Sequence, residues 1–164
     1  MQVETRPRAT GFDNGAIVAP RGMNLNPGDD DEDMVSLRDW VTENTVVTVR
    51  RRKLLAVEDI RKTAETGHAP STSWALLADT VAGLLIRIQR KSIEMEEATL
   101  TFVEQIFVSA RNMPRVEFAQ LRMGVIRFHP FLAPQVQALD DFMHISSENR
   151  CTYSSDLYRL SYLI

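Results

Sequence analysis

The sequence predicts an α+β fold, in which a small antiparallel β-meander packs with helices and is followed by a long antiparallel helical hairpin or stalk. Three observations predict it. The first half contains short β-branched runs separated by turn residues. The second half repeats apolar residues every three or four positions over two long stretches. The chain has 164 residues, of which 44% are hydrophobic, which is enough for one domain with its own core.

The first strand is expected near residue 16, after a polar segment. Residues 1–14 are polar, with Pro7 and Gly11, and are predicted to be a flexible tail. The run Ala16–Ala19 predicts a buried strand. Pro20 follows it directly, and because proline cannot donate to a sheet ladder, we expect this strand to lie at an edge or to end early. Asn26-Pro27-Gly28 then predicts a turn.

Two further strands and a short helix complete the region 15–70. Met34–Val41 alternates apolar and polar residues, with Val35 and Leu37 on one face. A hairpin turn at Glu43-Asn44 is predicted to return the chain into the β-branched strand Val46–Val49. A short helix is expected from Val57 to Glu65, ended by Gly67.

The region 71–150 predicts two long helices that run antiparallel. Ser71 or Ser73 is expected to cap the first helix, which runs from Trp74 to about residue 108. Its apolar face contains Trp74, Leu77, Val81, Leu84, Ile88, Met95, Leu100, Val103 and Ile106. Asn112-Met113-Pro114 is expected to end it, with Pro114 in the first turn of the second helix.

The second helix shows the same spacing. Its seam consists of Phe118, Leu121, Val125, Phe128, Leu132, Leu139 and Phe142. Gln135 is the single polar residue on that seam. Pro130 and Pro134 lie inside the helix, and since each removes a backbone hydrogen bond, a kink or a break is expected there. Residues 151–164 depart from the pattern and are predicted to be a divergent tail.

Composition excludes several classes of protein. The net charge of −3 disfavours a general nucleic-acid binder. The single cysteine, Cys151, excludes an intramolecular disulfide and suits a reducing compartment. The polar N-terminus lacks a secretory signal, and no window approaches the ~18 apolar residues of a membrane span, so a soluble polypeptide is expected. No catalytic motif is present, and the chain is predicted not to be an enzyme.

Five stretches, in this order, resemble the CorA family of divalent-cation transporters, with the zinc-transporter (ZntB-type) branch as the nearest match. They are RGMNLNPG, EDMVSLRDWV, VVTVRRRKLLAVEDIR, MPRVEFAQLR and FLAPQ, and the resemblance covers roughly residues 15–150. It implies a cytoplasmic sheet domain whose last strands are formed by residues 15–70, a stalk helix that begins near Pro114, and assembly as a pentamer. Gly22-Met23-Asn24 spells the family's pore signature, but its position in a strand region gives it no pore role.

The resemblance implies a function for the whole protein and a role for this part. The whole protein would transport a divalent metal ion (Mg, Zn or Co) across the membrane, and this part would be its regulatory and assembly domain on the cytoplasmic face of the inner or plasma membrane. The family's first strands and its two C-terminal membrane helices have no counterpart here, so a partial transporter, truncated before the pore, is expected. The implied partners are further copies of the chain and divalent cations, with membrane contact only through the missing helices.

Two acidic clusters are the candidate sites for a divalent cation. The first is the run Asp29, Asp30, Asp31, Glu32 and Asp33, whose carboxylates are hard oxygen ligands. The second is Glu94 and Glu97, which share a helical face with Glu96 nearby. The alternative is that both are solvated surface carboxylates. No cofactor is predicted beyond such a Zn²⁺ or Mg²⁺ ion.

The remaining polar groups point to a site less strongly. The basic run Arg50–Lys53 either contacts phosphates or anionic headgroups, or is an exposed strand end that balances the acidic loop. His68, His129, His144 and Cys151 have no zinc-motif spacing, although His144 and Cys151 are the most suitable pair.

Two other functions remain open. The first is an oligomeric interaction module without an ion role, which the apolar seams would equally support. The second is a non-functional remnant that folds poorly, because a sheet without its first strands leaves an open edge.

Overall fold

A computed structural model describes residues 6–12, 14–29, 33–108 and 115–148, which form an antiparallel sheet and three helices. The strands are β1 (Arg8–Phe12), β2 (Gly15–Ala19), β3 (Arg21–Met23), β4 (Met34–Thr42) and β5 (Val46–Arg50). The helices are α1 (Leu55–Glu65), α2 (Ser73–Val108) and α3 (Arg115–Glu148). The predicted α+β class, with a meander followed by a long helical hairpin, is confirmed.

Strand β4 is the centre of the sheet. It pairs with β2 and β3 on one side and with β5 on the other, and β1 pairs with β2. Strands β2 and β3 keep one register against β4, since Gly15 faces Thr42 and Met23 faces Met34. They are therefore two halves of one strand interrupted at Pro20. The carbonyl of Pro20 still accepts a hydrogen bond from the Leu37 N–H at 2.9 Å, but proline has no N–H to return.

The predicted turns are confirmed. Thr42 and Thr45 close a two-residue connection at Glu43-Asn44, with the Thr42 N–H 2.8 Å from the Thr45 carbonyl. In the Asn26–Asp29 turn, the Asp29 N–H donates to the Asn26 carbonyl at 3.2 Å, and Gly28 adopts a φ of 86° that favours glycine.

The flexible tail predicted for residues 1–14 is wrong within its described part, because residues 8–12 form β1. Backbone pairing decides this, since β1 aligns with β2 from Arg8 opposite Ala19 to Phe12 opposite Gly15. The side chain of Ile145 on α3 also lies 3.4 Å from the position that a Cβ on Gly11 would take. Pairing with β2 and packing against α3 therefore outweigh the low strand propensity of this polar segment.

The helical hairpin is antiparallel as predicted. Trp74, at the start of α2, stacks on Phe142 near the end of α3, with ring centroids 6.0 Å apart. Phe102 and Phe118 stack at the opposite end, at 5.1 Å. The cap of α2 differs from the prediction, because the Thr72 hydroxyl accepts the Ala75 N–H at 3.3 Å. Ser73 instead donates to the carbonyl oxygens of Thr42 and Glu43, which fixes the helix start to the β4–β5 turn.

Helix α3 runs from Arg115 to Glu148 without the break that Pro130 and Pro134 led us to expect. Pro130 is on the exposed side of the helix, where water can bond to the backbone carbonyl that its missing N–H leaves free. The predicted break at Asn112–Pro114 lies outside the described residues.

The core lies between one face of the sheet and helices α2 and α3. Inward residues of the strands, such as Ala16, Val18 and Val41, meet Leu77 and Val81 of α2. A second cluster forms where Leu54 and Leu84 approach β3. Gly22 is needed there, because a Cβ at this position would lie 2.5 Å from Leu84 Cδ2 and 3.1 Å from Leu54 Cδ2. None of the helices in the described ranges combines the length and the apolar character of a membrane span.

Candidate functional site

The predicted acidic loop joins β3 to β4. Only its first and last members, Asp29 and Asp33, are described, and both are exposed; Asp30, Asp31 and Glu32 lie outside the described residues. The Asn24 N–H donates to the Asp33 carbonyl at 3.1 Å and closes the base of the loop. One carboxylate oxygen of Asp29 lies 2.5 Å from Nη1 of Arg52. A cation at Asp29 would therefore have to compete with this arginine.

The basic segment after β5 contacts the start of the β3–β4 connection at Asn26 and Asp29. The Asn26 amide donates to the Lys53 carbonyl at 3.1 Å and to the Asn24 side-chain oxygen at 2.6 Å. The Arg52–Asp29 pair is one contact of the kind expected if the basic run balances the acidic loop, although an ion pair this exposed adds little stability. Arg50 pairs instead with Glu58 of α1 at 2.6 Å, and this hydrogen bond lowers the pKa of Glu58.

The second predicted cluster lies on the middle of α2. Glu94 and Glu97 are exposed, and Lys91 Nζ lies 4.0 Å from Oε2 of Glu94. Within the described part of the chain, no three His, Cys, Asp or Glu side chains converge as metal ligands would. Of the seven candidate carboxylates, the structure describes Asp29 and Asp33 in the loop and Glu94 and Glu97 on α2.

The histidines also stay apart. His68 lies near the Thr66 hydroxyl at 3.4 Å, and His144 Nε2 lies 3.3 Å from Glu148 one turn further along α3. His129 is exposed on α3. The predicted partner of His144, Cys151, is outside the described residues.

A buried carboxylate on β4 was missed by sequence reasoning. Asp39 is 1% exposed and points into the core beside Thr48 of β5, whose hydroxyl donates to Oδ1 at 2.7 Å. Its other oxygen has no hydrogen-bond partner among the residues that the structure describes. Burial raises the pKa of Asp39 from 3.8 to about 6, and the Thr48 hydrogen bond lowers it in part. The strand alternation contained the signal, because Val35 and Leu37 face inward and Asp39 is the next residue in that series.

A second buried polar contact joins α3 to β3. Gln135 is 1% exposed, and its side-chain oxygen accepts the Arg21 N–H at 3.0 Å while its amide donates to the Arg21 carbonyl at 3.3 Å. The pairing of β1 extends no further than Arg8 opposite Ala19, so β1 does not cover the edge of β3. The Gln135 amide bonds to the backbone of Arg21 at this edge. The Arg21 guanidinium lies 4.2 Å above the Phe131 ring and donates to the Met34 carbonyl at 3.0 Å. The polar position on the predicted seam thus ties the long helix to the sheet.

Comparison with known proteins establishes the family. The sequence profile described as "CorA-like Mg2+ transporter protein" matches residues 1–162. The chain belongs to this CorA-like family. The family is one of ion transporters by its description, not of enzymes.

Relatives of the CorA-like chain are found among both sequences and structures. It is 30% identical over 150 residues to a zinc transport protein ZntB of Pectobacterium carotovorum, a match that covers 87% of the chain and 42% of that protein. The ZntB cytoplasmic domain of Vibrio parahaemolyticus superimposes with a TM-score of 0.78 at 20% identity, covering 98% of the chain and 67% of that domain. The soluble domain of CorA from Methanocaldococcus jannaschii gives 0.62 at 13% identity, over 98% of the chain and 68% of that domain.

These structural matches show a shared fold. The chain spans less than half the length of the Pectobacterium relative.

Proposed function

We propose that this chain acts as a regulatory and assembly domain of a CorA-like divalent-cation transporter, on the cytoplasmic side of the membrane. The observation that supports this is the family match over almost the whole chain. The relatives add detail, since a protein named for zinc transport shares 30% identity and a ZntB cytoplasmic domain shares the fold. No enzymatic activity is proposed. The ion of the whole transporter would be Zn²⁺, Mg²⁺ or Co²⁺.

The chain would act as a homo-oligomer, a pentamer by the family resemblance. The distal half of the helical hairpin supports self-association, because its described residues include several exposed apolar side chains. Phe107 is 83% exposed, and Leu100, Val103 and Val116 are exposed close to it in sequence or across the hairpin. Large exposed apolar patches usually mark sites of protein interaction.

The two acidic clusters would contribute ligands between subunits rather than within one. Asp29 is paired with Arg52, and within the described part of the chain no three potential ligands converge, so a neighbouring subunit would contribute the further ligands. A cation held between subunits would favour the arrangement that presents both halves of its site. Asp29 to Asp33, together with Glu94 and Glu97, are the residues proposed for this role.

Native mass spectrometry with Zn²⁺ and Mg²⁺ tests the ion-binding part. An oligomer whose mass rises by whole ions is expected. Neutralising Asp29–Asp33 to Asn, with Glu94→Gln and Glu97→Gln, is expected to weaken binding at least tenfold, since charged oxygen ligands dominate affinity for hard cations. The control neutralises two exposed carboxylates outside the clusters, Glu104 on α2 and Asp140 on α3. Equal loss in the control, or an oligomer indifferent to both metals, would contradict the assignment.

Charge placed on the distal hairpin tests assembly separately. Leu100→Asp combined with Phe107→Asp is expected to convert the oligomer to a monomer, because a charge buried in an apolar interface has no partner. Analytical ultracentrifugation measures the change. The monomeric variant should keep the helical circular dichroism of the parent and unfold cooperatively, since both side chains are exposed within one copy.

Gln105→Asp, on the same exposed stretch of α2, is the control and should leave the oligomer intact. If the double variant keeps the mass of the parent, self-association uses another surface.

A further inference from the structure

Helix α2 has apolar side chains on two sides, of which one is buried in the core. The buried side packs against the sheet through residues such as Leu77 and Val81. On another side, four apolar residues with exposed fractions between 47% and 83% follow one another at intervals of seven. We call them the α2 stripe: Ile86, Ile93, Leu100 and Phe107. A surface helix usually has one apolar side, so the α2 stripe is apolar surface left for a partner.

The spacing of seven residues keeps the α2 stripe on one side of the helix. Seven residues make almost two full turns, so successive members are displaced around the helix axis by only about 20°. From Ile86 to Phe107 the stripe is about 30 Å long, at a rise of about 1.5 Å per residue. Apolar residues repeated at this interval form the seam by which one helix packs along another. The α2 stripe therefore fits a partner helix that lies along α2.

The charges of α2 change sign halfway along the stripe. From residue 80 to residue 91 its charged residues are basic, and from residue 92 to residue 108 they are acidic. Three charged residues, all exposed, each follow a member of the stripe by four positions: Arg90, Glu97 and Glu104. Residues four apart are neighbours on a helix surface, so these three form a column of charges along one edge of the stripe.

A second copy of the chain in antiparallel orientation matches both patterns. If a two-fold axis passes between residues 96 and 97, the first member of the stripe lies opposite the last member in the other copy, and the two middle members lie opposite each other. The axis keeps both columns of charge on the same edge of the contact, so Arg90 comes within one residue of Glu104 of the other copy. A parallel arrangement would place each of these residues against its own counterpart, which like charges disfavour.

We propose that the α2 stripe is a contact between two copies of the chain, whose α2 helices pack antiparallel around a two-fold axis near Glu97. Ile93 and Leu100 form the centre of the contact, and Arg90 pairs with Glu104 across it. The two Glu97 side chains approach each other at the axis, and their repulsion weakens the pair. This inference rests on the self-association proposed above and gives it a geometry. A two-fold contact lies outside a five-membered ring, so it joins copies that belong to different rings or to none.

Charge reversal tests the antiparallel geometry. Arg90→Glu and Glu104→Arg are each expected to weaken association about tenfold, because each replaces two attractions by two repulsions. The double variant R90E/E104R exchanges both charges and should restore the dissociation constant to within about threefold of the parent. In a parallel pair each residue would meet its own counterpart, so the single variants would associate as the parent does. Sedimentation equilibrium at several concentrations measures the dissociation constants.

A mixture of the two single variants gives an independent measurement. Each variant supplies the charge that the other lacks, so Arg90→Glu and Glu104→Arg chains should form mixed pairs in preference to pairs of one kind. Native mass spectrometry separates the three kinds of pair by mass. Arg122→Glu, at an exposed position on α3, is the matched control and should leave the association of the parent unchanged.

Two further substitutions separate the apolar and the electrostatic contributions. Ile93→Ser should weaken association about tenfold, since it removes an apolar side chain from the centre of the contact. Ile126→Ser is its matched control, because Ile126 is 51% exposed but lies on α3. In the absence of divalent cations, Glu97→Gln should strengthen association about threefold by removing the repulsion at the axis. Neutralising Glu104 alone should have a small effect, because exposed ion pairs contribute little.

Three results would overturn the proposal, for variants whose circular dichroism and cooperative unfolding match those of the parent. If Arg90→Glu and Ile93→Ser associate as strongly as the parent, self-association uses another part of the chain and the assembly role stands without this contact. If R90E/E104R associates no better than either single variant, the antiparallel geometry is wrong. If the chain is monomeric at every concentration, both this contact and the self-association proposed above are wrong.

Discussion

Replacing Gln135 by leucine is expected to lower the free energy of unfolding by about 2–6 kcal/mol. The substitution introduces an apolar side chain of similar size and removes both hydrogen bonds to the backbone of Arg21. The Arg21 N–H and carbonyl would remain buried beneath α3 without partners, and each unsatisfied group costs about 1–3 kcal/mol. Urea unfolding followed by circular dichroism measures the loss.

Two companion variants separate this contact from general packing. Gln137→Leu changes the same residue type two positions along α3, where the side chain is exposed, and should stay within about 0.5 kcal/mol of the parent. Gln135→Glu keeps the acceptor for the Arg21 N–H but, once ionised, cannot donate to the carbonyl. Its deficit should therefore shrink at acidic pH, where the carboxyl regains a proton. A Gln135→Leu variant as stable as the parent would show that the bonds to Arg21 contribute no net stability.

Replacing Asp39 by asparagine is expected to stabilise the chain at neutral pH by up to about 3 kcal/mol. Burial raises the pKa of Asp39 from 3.8 to about 6, a difference of about two pKa units at 1.36 kcal/mol each. Asparagine is isosteric and keeps an oxygen for the Thr48 hydroxyl, but it has no charge to bury. The measured gain should fall below this bound, since the new amide group also needs a partner.

The pH dependence follows from the direction of that shift. Between pH 3.8 and about 6, the folded chain holds the Asp39 proton more tightly than the unfolded chain does. The destabilisation from this carboxylate is therefore absent below pH 3.8, grows through that window and is complete above about pH 6. The difference in unfolding temperature between Asp39→Asn and the parent should open across the same window, by about 2–4 °C for each kcal/mol.

Thermal unfolding at several pH values between 4 and 7.5 tests this expectation. Asp140→Asn, at an exposed position on α3, is the control and should give a difference that does not vary with pH. A parent that is more stable than Asp39→Asn at pH 7.5 would contradict the argument, because the charged form would then have a stabilising partner.

Local signals in the sequence were enough to predict the β-meander and the helical hairpin. The turn at Asn26–Gly28, the connection at Glu43-Asn44 and the glycine after α1 each have the backbone that their residue types favour. The three-and-four spacing from Trp74 to Ile88 predicted the buried face of α2, and these residues do lie in the core. A clear hydrophobic periodicity over a long segment therefore predicts the element correctly.

The features that could not be predicted depend on contacts between distant segments. Strand β1 is too polar and glycine-containing to be recognised alone, and it exists because β2 offers an edge and α3 packs beside Gly11. The continuity of α3 through Pro130 and Pro134 is likewise a tertiary effect, since packing on both sides of the prolines outweighs two lost hydrogen bonds. On the distal hairpin the spacing predicted a buried seam, yet Leu100 and Val103 are exposed in one copy.

The candidate site was only partly accessible to sequence reasoning. The acidic run and the basic run were recognised from the sequence, and a balance of charge between them was one of two interpretations; the structure pairs Arg52 with Asp29. The ion pair between Arg52 and Asp29 could not be predicted, because the two residues are 23 positions apart and no local sequence pattern links them. Ion binding by the seven carboxylates stays a prediction, and the titration described above decides it.

The attachment of Gln135 to Arg21 determines how the long helix can move. Sliding α3 along its axis by one turn, about 5.4 Å, would break both bonds and leave two polar groups buried, so displacement along the axis is opposed. Tilting α3 about this point keeps both bonds, and the joint can serve as a pivot. The distal hairpin lies on one side of the pivot, and β3 lies at the pivot itself through Arg21. A small rotation of the helix tip would therefore act on β3 through the backbone of Arg21.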